Sequence, residues 1–242
     1  MELKIVLPRD VLEDYQKHSK YLANVTTDPS TTAISFGSPY ARRDVVEVQL
    51  LLIALKRGGL SATPVFITAD SYSRILRVLS ENDALISGNT LWLSDIDKNP
   101  HLFASSALIR NGESEAGLFT TKSNLKVRGI TSIKELQSLS AVSNRVWVED
   151  WNALTSMRLR ELQHQPTWDA MVRLVDSHRA DFLLAPFPST DDLSFNVGTV
   201  ELLPIGPWKV QLFGSRHFGI AKNHQRSYMV LRALDDGLLQ LH

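Results

Sequence analysis

The sequence contains no cysteine, which excludes disulfides, thiolate nucleophiles and Cys-ligated zinc or iron–sulfur sites. It also lacks an excess of either charge: 26 Lys and Arg balance 26 Asp and Glu. The net field that draws a protein to phosphates or anionic lipid is therefore missing, and no nucleic-acid partner is expected. Long apolar runs are absent as well. Leu50–Leu55 is the most apolar stretch and falls far short of the ~20 residues that cross a bilayer. The start, Met1–Lys4, is not a basic region leading into an apolar core, so an export signal is not part of this sequence.

Catalytic motifs are missing too. There is no G-x-S-x-G elbow, no phosphate-binding P-loop and no G-x-G-x-x-G. The seven histidines are scattered, with no H-E-x-x-H or H-x-H to place two ligands on one metal. Asp95, Asp97 and Asn99 have the spacing that opens a calcium loop, but Pro100 stands where glycine is needed and Ser106 where a bidentate acid is needed. This segment reads as a solvated turn, and paired Asp191 and Asp192 as a polar loop. Glu149 and Asp150 offer an acid pair without an accompanying base, nucleophile or metal. No enzyme activity, metal or cofactor is expected.

What is present is ordinary globular material: 242 residues, 43% hydrophobic and 21% charged, enough for one large domain or two small ones. The clearest helix spans Arg42–Gly59, with Asp44 as its expected cap, Val45, Val48, Leu52 and Leu55 on one face, and Gly58–Gly59 as its stop. Ala33–Gly37 before it and Pro64–Thr68 after it read as strands, giving a βαβ unit. A second amphipathic segment (Tyr72, Ile75, Leu76, Leu79) leads into an apolar run, Ala84–Ser87. Further on, Arg145–Val148 reads as a strand. Asn152 and Thr167 read as caps of helices carrying Leu154, Met157 and Leu162, and Trp168, Met171, Val172 and Val175. Asp181–Ala185 and His217–Ala221 read as strands, and Leu231, Leu234, Leu238 and Leu241 form one stripe of a final helix. The alternation predicts an α/β fold with two mainly parallel sheets.

Five segments in this order resemble the type 2 periplasmic solute-binding proteins related to polar amino-acid binders. They are the helix Arg42–Gly59, RILRVLSENDALISG (Arg74–Gly88), ITSIKELQSL (Ile130–Leu139), WDAMVRLVDSHRADFLLAPF (Trp168–Phe187) and SRHFGIAKN (Ser215–Asn223). The resemblance implies two α/β lobes joined by crossing hinge strands near residues 115–124 and 213–222. The first lobe would comprise residues 1–115 plus 223–242 with the C-terminal helix, the second residues 116–222, and the ligand would lie in the cleft between them. The chain departs from the amino-acid binders in two ways. They carry an arginine after the third strand, whereas Asn89–Phe103 contains none; they place an acid after the last strand of the second lobe, where Pro186 and Phe187 stand here. The ligand is left open.

Strand ends in such sheets face ligands, and this singles out Tyr40, Arg43, Trp92, Glu149, Trp151 and Phe187 as binding candidates. The aromatic members can stack on a ligand and Arg43 can meet an anion. Each has a plainer reading, as core packing for the tryptophans and as a solvated charge for Arg43. The resemblance implies an extracytoplasmic, periplasmic monomer that passes a small polar solute to a membrane permease of the ABC type. The alternatives are the ligand-binding sensor domain of a signalling receptor and an orphan domain; a LysR-type effector domain ranks lower, since no helix-turn-helix precedes it here.

Overall fold

The computed structural model describes residues 1–25, 34–188 and 190–241. The chain forms two compact units, Met1–Arg110 with Ser215–His242, and Asn111–Gly214. The first stretch supplies β1 (Glu2–Leu7), α1 (Arg9–Val25), α2 (Arg43–Arg57), β2 (Thr63–Thr68), α3 (Tyr72–Ser80), β3 (Ile86–Ser87), β4 (Leu91–Trp92), α4 (Leu93–Asp97) and β5 (Leu102–Ala104). The second unit follows as β6 (Ser114–Thr121), α5 (Leu125–Arg128), α6 (Ile133–Gln137), β7 (Ser140–Ser143), α7 (Val148–Ser156), β8 (Glu161–His164), α8 (Trp168–Asp176), β9 (Phe182–Ala185), β10 (Phe195–Val197) and β11 (Val200–Leu212). The chain then returns to the first unit as β12 (Arg216–His217), β13 (Gly219–Ala221) and α9 (Ser227–Leu239).

The first unit is built on a five-stranded sheet in the order β2-β1-β3-β13-β5, beside which β12 pairs with β4. β1 runs parallel to β2 and β3, and the returning β13 lies antiparallel between β3 and β5. Central position explains the composition of β1: Leu3, Ile5, Val6 and Leu7 are all fully buried, as a strand covered on both faces requires. The second unit is a six-stranded sheet, β10-β11-β6-β9-β7-β8, in which β7 is parallel to β8 and β9 while β6 is antiparallel to β9 and β11.

Several expectations are corrected here. Residues 34–37 form no strand, and Ala33 lies outside the described residues; the strand opening the βαβ unit is β1, whose short apolar run the periodicity reading passed over. The strand placed at Arg145–Val148 is instead β7, five residues earlier and built of small Ser, Ala and Val residues that carry little strand signal. Arg145–Trp147 is a loop, and Asn152 lies inside α7 rather than capping it. Helix α2 begins at Arg43, so Asp44 is not its cap but an acid in its first turn, where the helix dipole favours it. The lobe boundaries also move. Residues 111–115 belong to the second unit and 215–222 to the first, because β12 and β13 pair only with first-unit strands. Thr167 does cap α8, accepting from the Ala170 N–H at 3.3 Å.

Helix α9 packs through Ala233 and Gly237 on Ala54 of α2 and on Gly58, the residue that ends it. A Cβ on Gly58 would stand 1.8 Å from the Ala233 carbonyl oxygen, and one on Gly237 would stand 1.8 Å from the Ala54 carbonyl oxygen. The two backbones are thus in direct contact, and only glycine fits at either point. Gly237→Ala is expected to cost about 1–3 kcal/mol, the range for overpacking a tight contact, as read by chemical denaturation. An unchanged midpoint would show that the helices do not meet there.

Candidate functional site

In the first unit β1, β2 and β3 are parallel, so the loops beyond Leu7, Thr68 and Ser87 share one sheet edge, the edge at which open α/β sheets place ligands. Beyond β3 the chain turns through Asn89 and Thr90. Glu47, only 4% exposed on α2, reaches this turn: Oε2 accepts from the Thr90 N–H at 2.8 Å and Oε1 from the Thr90 hydroxyl at 2.9 Å. Arg216 arrives on β12 from the far side of the sequence. Its Nε donates to Thr90 Oγ1 at 2.9 Å and its Nη2 to the Thr90 carbonyl at 2.7 Å. The same guanidinium lies over the Trp92 ring, 4.6 Å from its centroid. Arg43 Nε stands 3.5 Å from Glu47 Oε1, so a buried carboxylate joins two cations through one threonine.

Two further groups fix the segments beside this turn. The Tyr72 hydroxyl donates to Asp95 Oδ2 at 2.8 Å and accepts from the Trp92 N–H at 3.1 Å. Burial first, and then the Asp95 carboxylate, push the phenol well above its ordinary pKa, so it remains a donor. His217 places Nδ1 2.6 Å from the Ser105 carbonyl, which can only accept; the proton therefore sits on Nδ1, and Nε2 accepts from Ser215 Oγ at 2.8 Å. Asn89, 8% exposed, has a buried Oδ1 without a hydrogen-bond partner among the described residues. It is a ready acceptor for a ligand N–H.

In the second unit β7 and β9 are neighbouring parallel strands, so the loops Asn144–Trp147 and Pro186–Pro188 leave the same edge. Asn144 shapes the first loop, its Nδ2 donating to the Pro166 carbonyl at 2.9 Å and its Oδ1 accepting from the Val146 N–H at 3.1 Å. Aromatic rings line this region: Trp147 against Trp168 at 6.4 Å, Trp168 stacked on Phe195 at 6.3 Å, and Phe119 between Phe195 at 5.0 Å and Phe187 at 6.1 Å. Gly117 makes room for the last pair, since a Cβ there would stand 2.7 Å from Phe187. Trp147 supplies no side-chain cap to α7, and Glu149 and Asp150 occupy its first turn. Two carboxylates there offset the positive end of the helix dipole, so this end does not invite an anion.

Solved structures of low sequence identity share this architecture. The periplasmic VFT2 domain of BvgS from Bordetella pertussis aligns with a TM-score of 0.60 at 13% identity, covering 94% of this chain and 93% of that one. A probable amino-acid ABC transporter extracellular-binding protein from Bacillus subtilis aligns at 0.56 and 17% identity, covering 81% and 80%. The chain has the type 2 periplasmic binding protein fold. An amino-acid ABC transporter substrate-binding protein from Streptococcus pneumoniae, bound to L-arginine, shares this fold at a TM-score of 0.52 and 13% identity, over 82% of this chain and 76% of that one. No family model matches the sequence, and no curated protein matches it.

Within this fold the six candidates fall differently. Arg43 and Trp92 are drawn together through Glu47, Thr90 and Arg216. Trp92 lies in β4 rather than in a loop and is 6% exposed, so its face serves Arg216. Tyr40 is tied elsewhere, its N–H donating to Ser38 Oγ at 3.0 Å and its ring lying 5.4 Å from Lys17 Nζ. Phe187 joins the aromatic row with Trp147, while Glu149 and Trp151 share α7, Trp151 under the Arg145 guanidinium at 5.2 Å and edge-on to His164. Sequence reasoning missed Glu47 as a buried acid, Thr90, Asn89 and Arg216. The apolar neighbours of Glu47 on α2 were the one available sign. Among the described residues no group of three or more His, Cys, Asp or Glu can hold a metal, and Asp95 is engaged by Tyr72.

If Glu47 anchors the turn, Glu47→Ala is expected to lower stability by about 3 kcal/mol, since it strands the two buried Thr90 donors and opens a void on α2. Arg43→Ala, removing a half-exposed partner, should cost about 1 kcal/mol or less. Equal losses in urea unfolding would contradict the assignment.

Proposed function

We propose that the chain is an extracytoplasmic solute-binding domain that captures a small polar ligand and delivers it to an ABC-type permease, without catalysis. The observation that carries this reading is the placement of polar and aromatic side chains at the carboxyl-end loops of parallel strands in each unit. The fold, shared with proteins named as transporter binding proteins, supports it. In the first unit Asn89 offers an acceptor and Arg216 a guanidinium held by buried Thr90; in the second, Phe187 and Trp147 offer rings and Glu149 a carboxylate. We place Arg43 and Trp92 behind this surface, as supports of Glu47 and Arg216, and give Tyr40 and Trp151 rim positions. The second reading, a ligand-binding sensor domain, draws support from the match to a periplasmic domain that covers 94% of the chain.

The test is a thermal-shift screen with amino acids, polyamines, organic acids and oligopeptides. A true ligand at a hundred times its Kd adds about 2.7 kcal/mol of stability. Asn89→Ala and Phe187→Ala should each weaken it by about 1 kcal/mol or more while leaving the unliganded protein folded. Absence of any saturable ligand in these classes, or affinity unchanged in both variants, would overturn the reading.

A further inference from the structure

The outer face of α9 is unusually open for a helix whose other side is locked to α2. Tyr228 is 73% exposed, Met229 45% and Leu239 76%, while Val230, Ala233, Leu234, Gly237 and Leu238 face inward. Arg232 and Asp236 stand on the open face and reach one another at 3.8 Å, with side chains 88% and 57% exposed. An apolar face with nothing to identify its occupant would carry no argument. Here the order of residues supplies one.

The exposed residues are palindromic about Leu234. If a second α9 crosses antiparallel, with a two-fold axis passing by this position, Met229 faces Leu239 of the second copy, Tyr228 faces Gln240 and Arg232 faces Asp236. Apolar meets apolar and each cation meets an anion, twice over, as an isologous interface requires. The relief agrees with the charges. Tyr228, Arg232 and Asp236 follow one another at intervals of four, with shallow, open surface beside Gly58, Gly59 and Leu60 on one side and beside Leu231 and Asp235 on the other. A ridge at i, i+4 spacing with open surface on either side can seat the same ridge of another helix.

We propose that the α9 face is a self-association surface whose occupant is a second copy of this chain, docked antiparallel about a two-fold axis at Leu234. This departs from the monomer expected from the sequence and does not depend on the ligand reading. A 13-residue helix is about 20 Å long, so its contact alone lies at or below the lower end of stable interfaces; the dimer is weak, with a Kd of roughly 0.1 mM.

Sedimentation equilibrium over a range of concentration tests this. The unmodified chain should show a monomer–dimer equilibrium. Arg232→Glu and Asp236→Arg should each weaken it by about tenfold or more, because like charges then meet across the axis. The decisive sample is an equimolar mixture of the two single variants: one copy then carries two acids and the other two arginines, so a mixed dimer at least as tight as the unmodified one should form. This restoration comes from contacts between copies, because neither variant recovers the ion pair within its own helix. Circular dichroism should show both variants folded, as their exposure implies; if either is not, Leu239→Lys serves in its place and must also abolish the dimer. A strict monomer at all concentrations, a dimer indifferent to both variants, or a mixture no tighter than its components would each overturn the proposal.

Discussion

The first unit depends on one buried chain of polar contacts, Glu47–Thr90–Arg216, with the half-exposed Arg43 at its edge. It joins a helix near residue 47, a turn at residue 90 and a strand at residue 216, segments separated by 43 and 126 positions. Burying a carboxylate is unfavourable unless its lone pairs are filled, and here the Thr90 N–H and hydroxyl each fill one. Thr90 is the pivot, since its hydroxyl gives its proton to Glu47 and receives one from Arg216. The consequence is topological. β13 lies between β3 and β5, so the first sheet is incomplete until the chain has passed through the whole second unit and returned. Arg216 and His217 sit immediately before that strand, where they can fix its register.

The legible parts of this fold were those whose signal is local. Helices α2, α3, α8 and α9 announce themselves by apolar spacing, and α8 also by Thr167 at its start. β2 and β9 carry β-branched or large apolar residues. β7 is nearly all Ser and Ala, buried on every residue, so its composition says nothing that its neighbours do not decide. The polar site was harder still. Glu47 stands three residues after the acid Asp44 near the start of its helix, and only the contact with Thr90 reveals it as a core carboxylate. The segment Asn89–Phe103 has no arginine, yet the fold delivers one there from a strand 126 residues away. No local pattern encodes such a meeting.

The strand-end loops of the two units differ in chemical character. Around Asn89 and Thr90 the first unit offers hydrogen-bonding groups and a guanidinium already braced by Trp92 and Thr90. A braced cation loses little freedom when it meets a ligand, which is the advantage of preorganisation. The second unit offers rings and, on α7, carboxylates that cancel the helix dipole. Such a surface favours a flat or cationic group over an anionic one.

Helix α9 shows how one element can carry two unrelated tasks when its faces are separated. Its inward stripe holds Ala233 and Gly237 against Ala54 and Gly58, and the backbones approach so closely that no side chain can intervene. That contact fixes the rotation of the helix about its own axis. With the rotation fixed, the positions of Arg232, Asp236, Met229 and Leu239 on the outer face are fixed as well, at no further cost in side-chain packing. A helix held instead by long, adaptable side chains could roll by tens of degrees and would present no constant pattern to a second copy. The glycines that seem to serve only internal packing therefore also determine what the outside of the molecule displays.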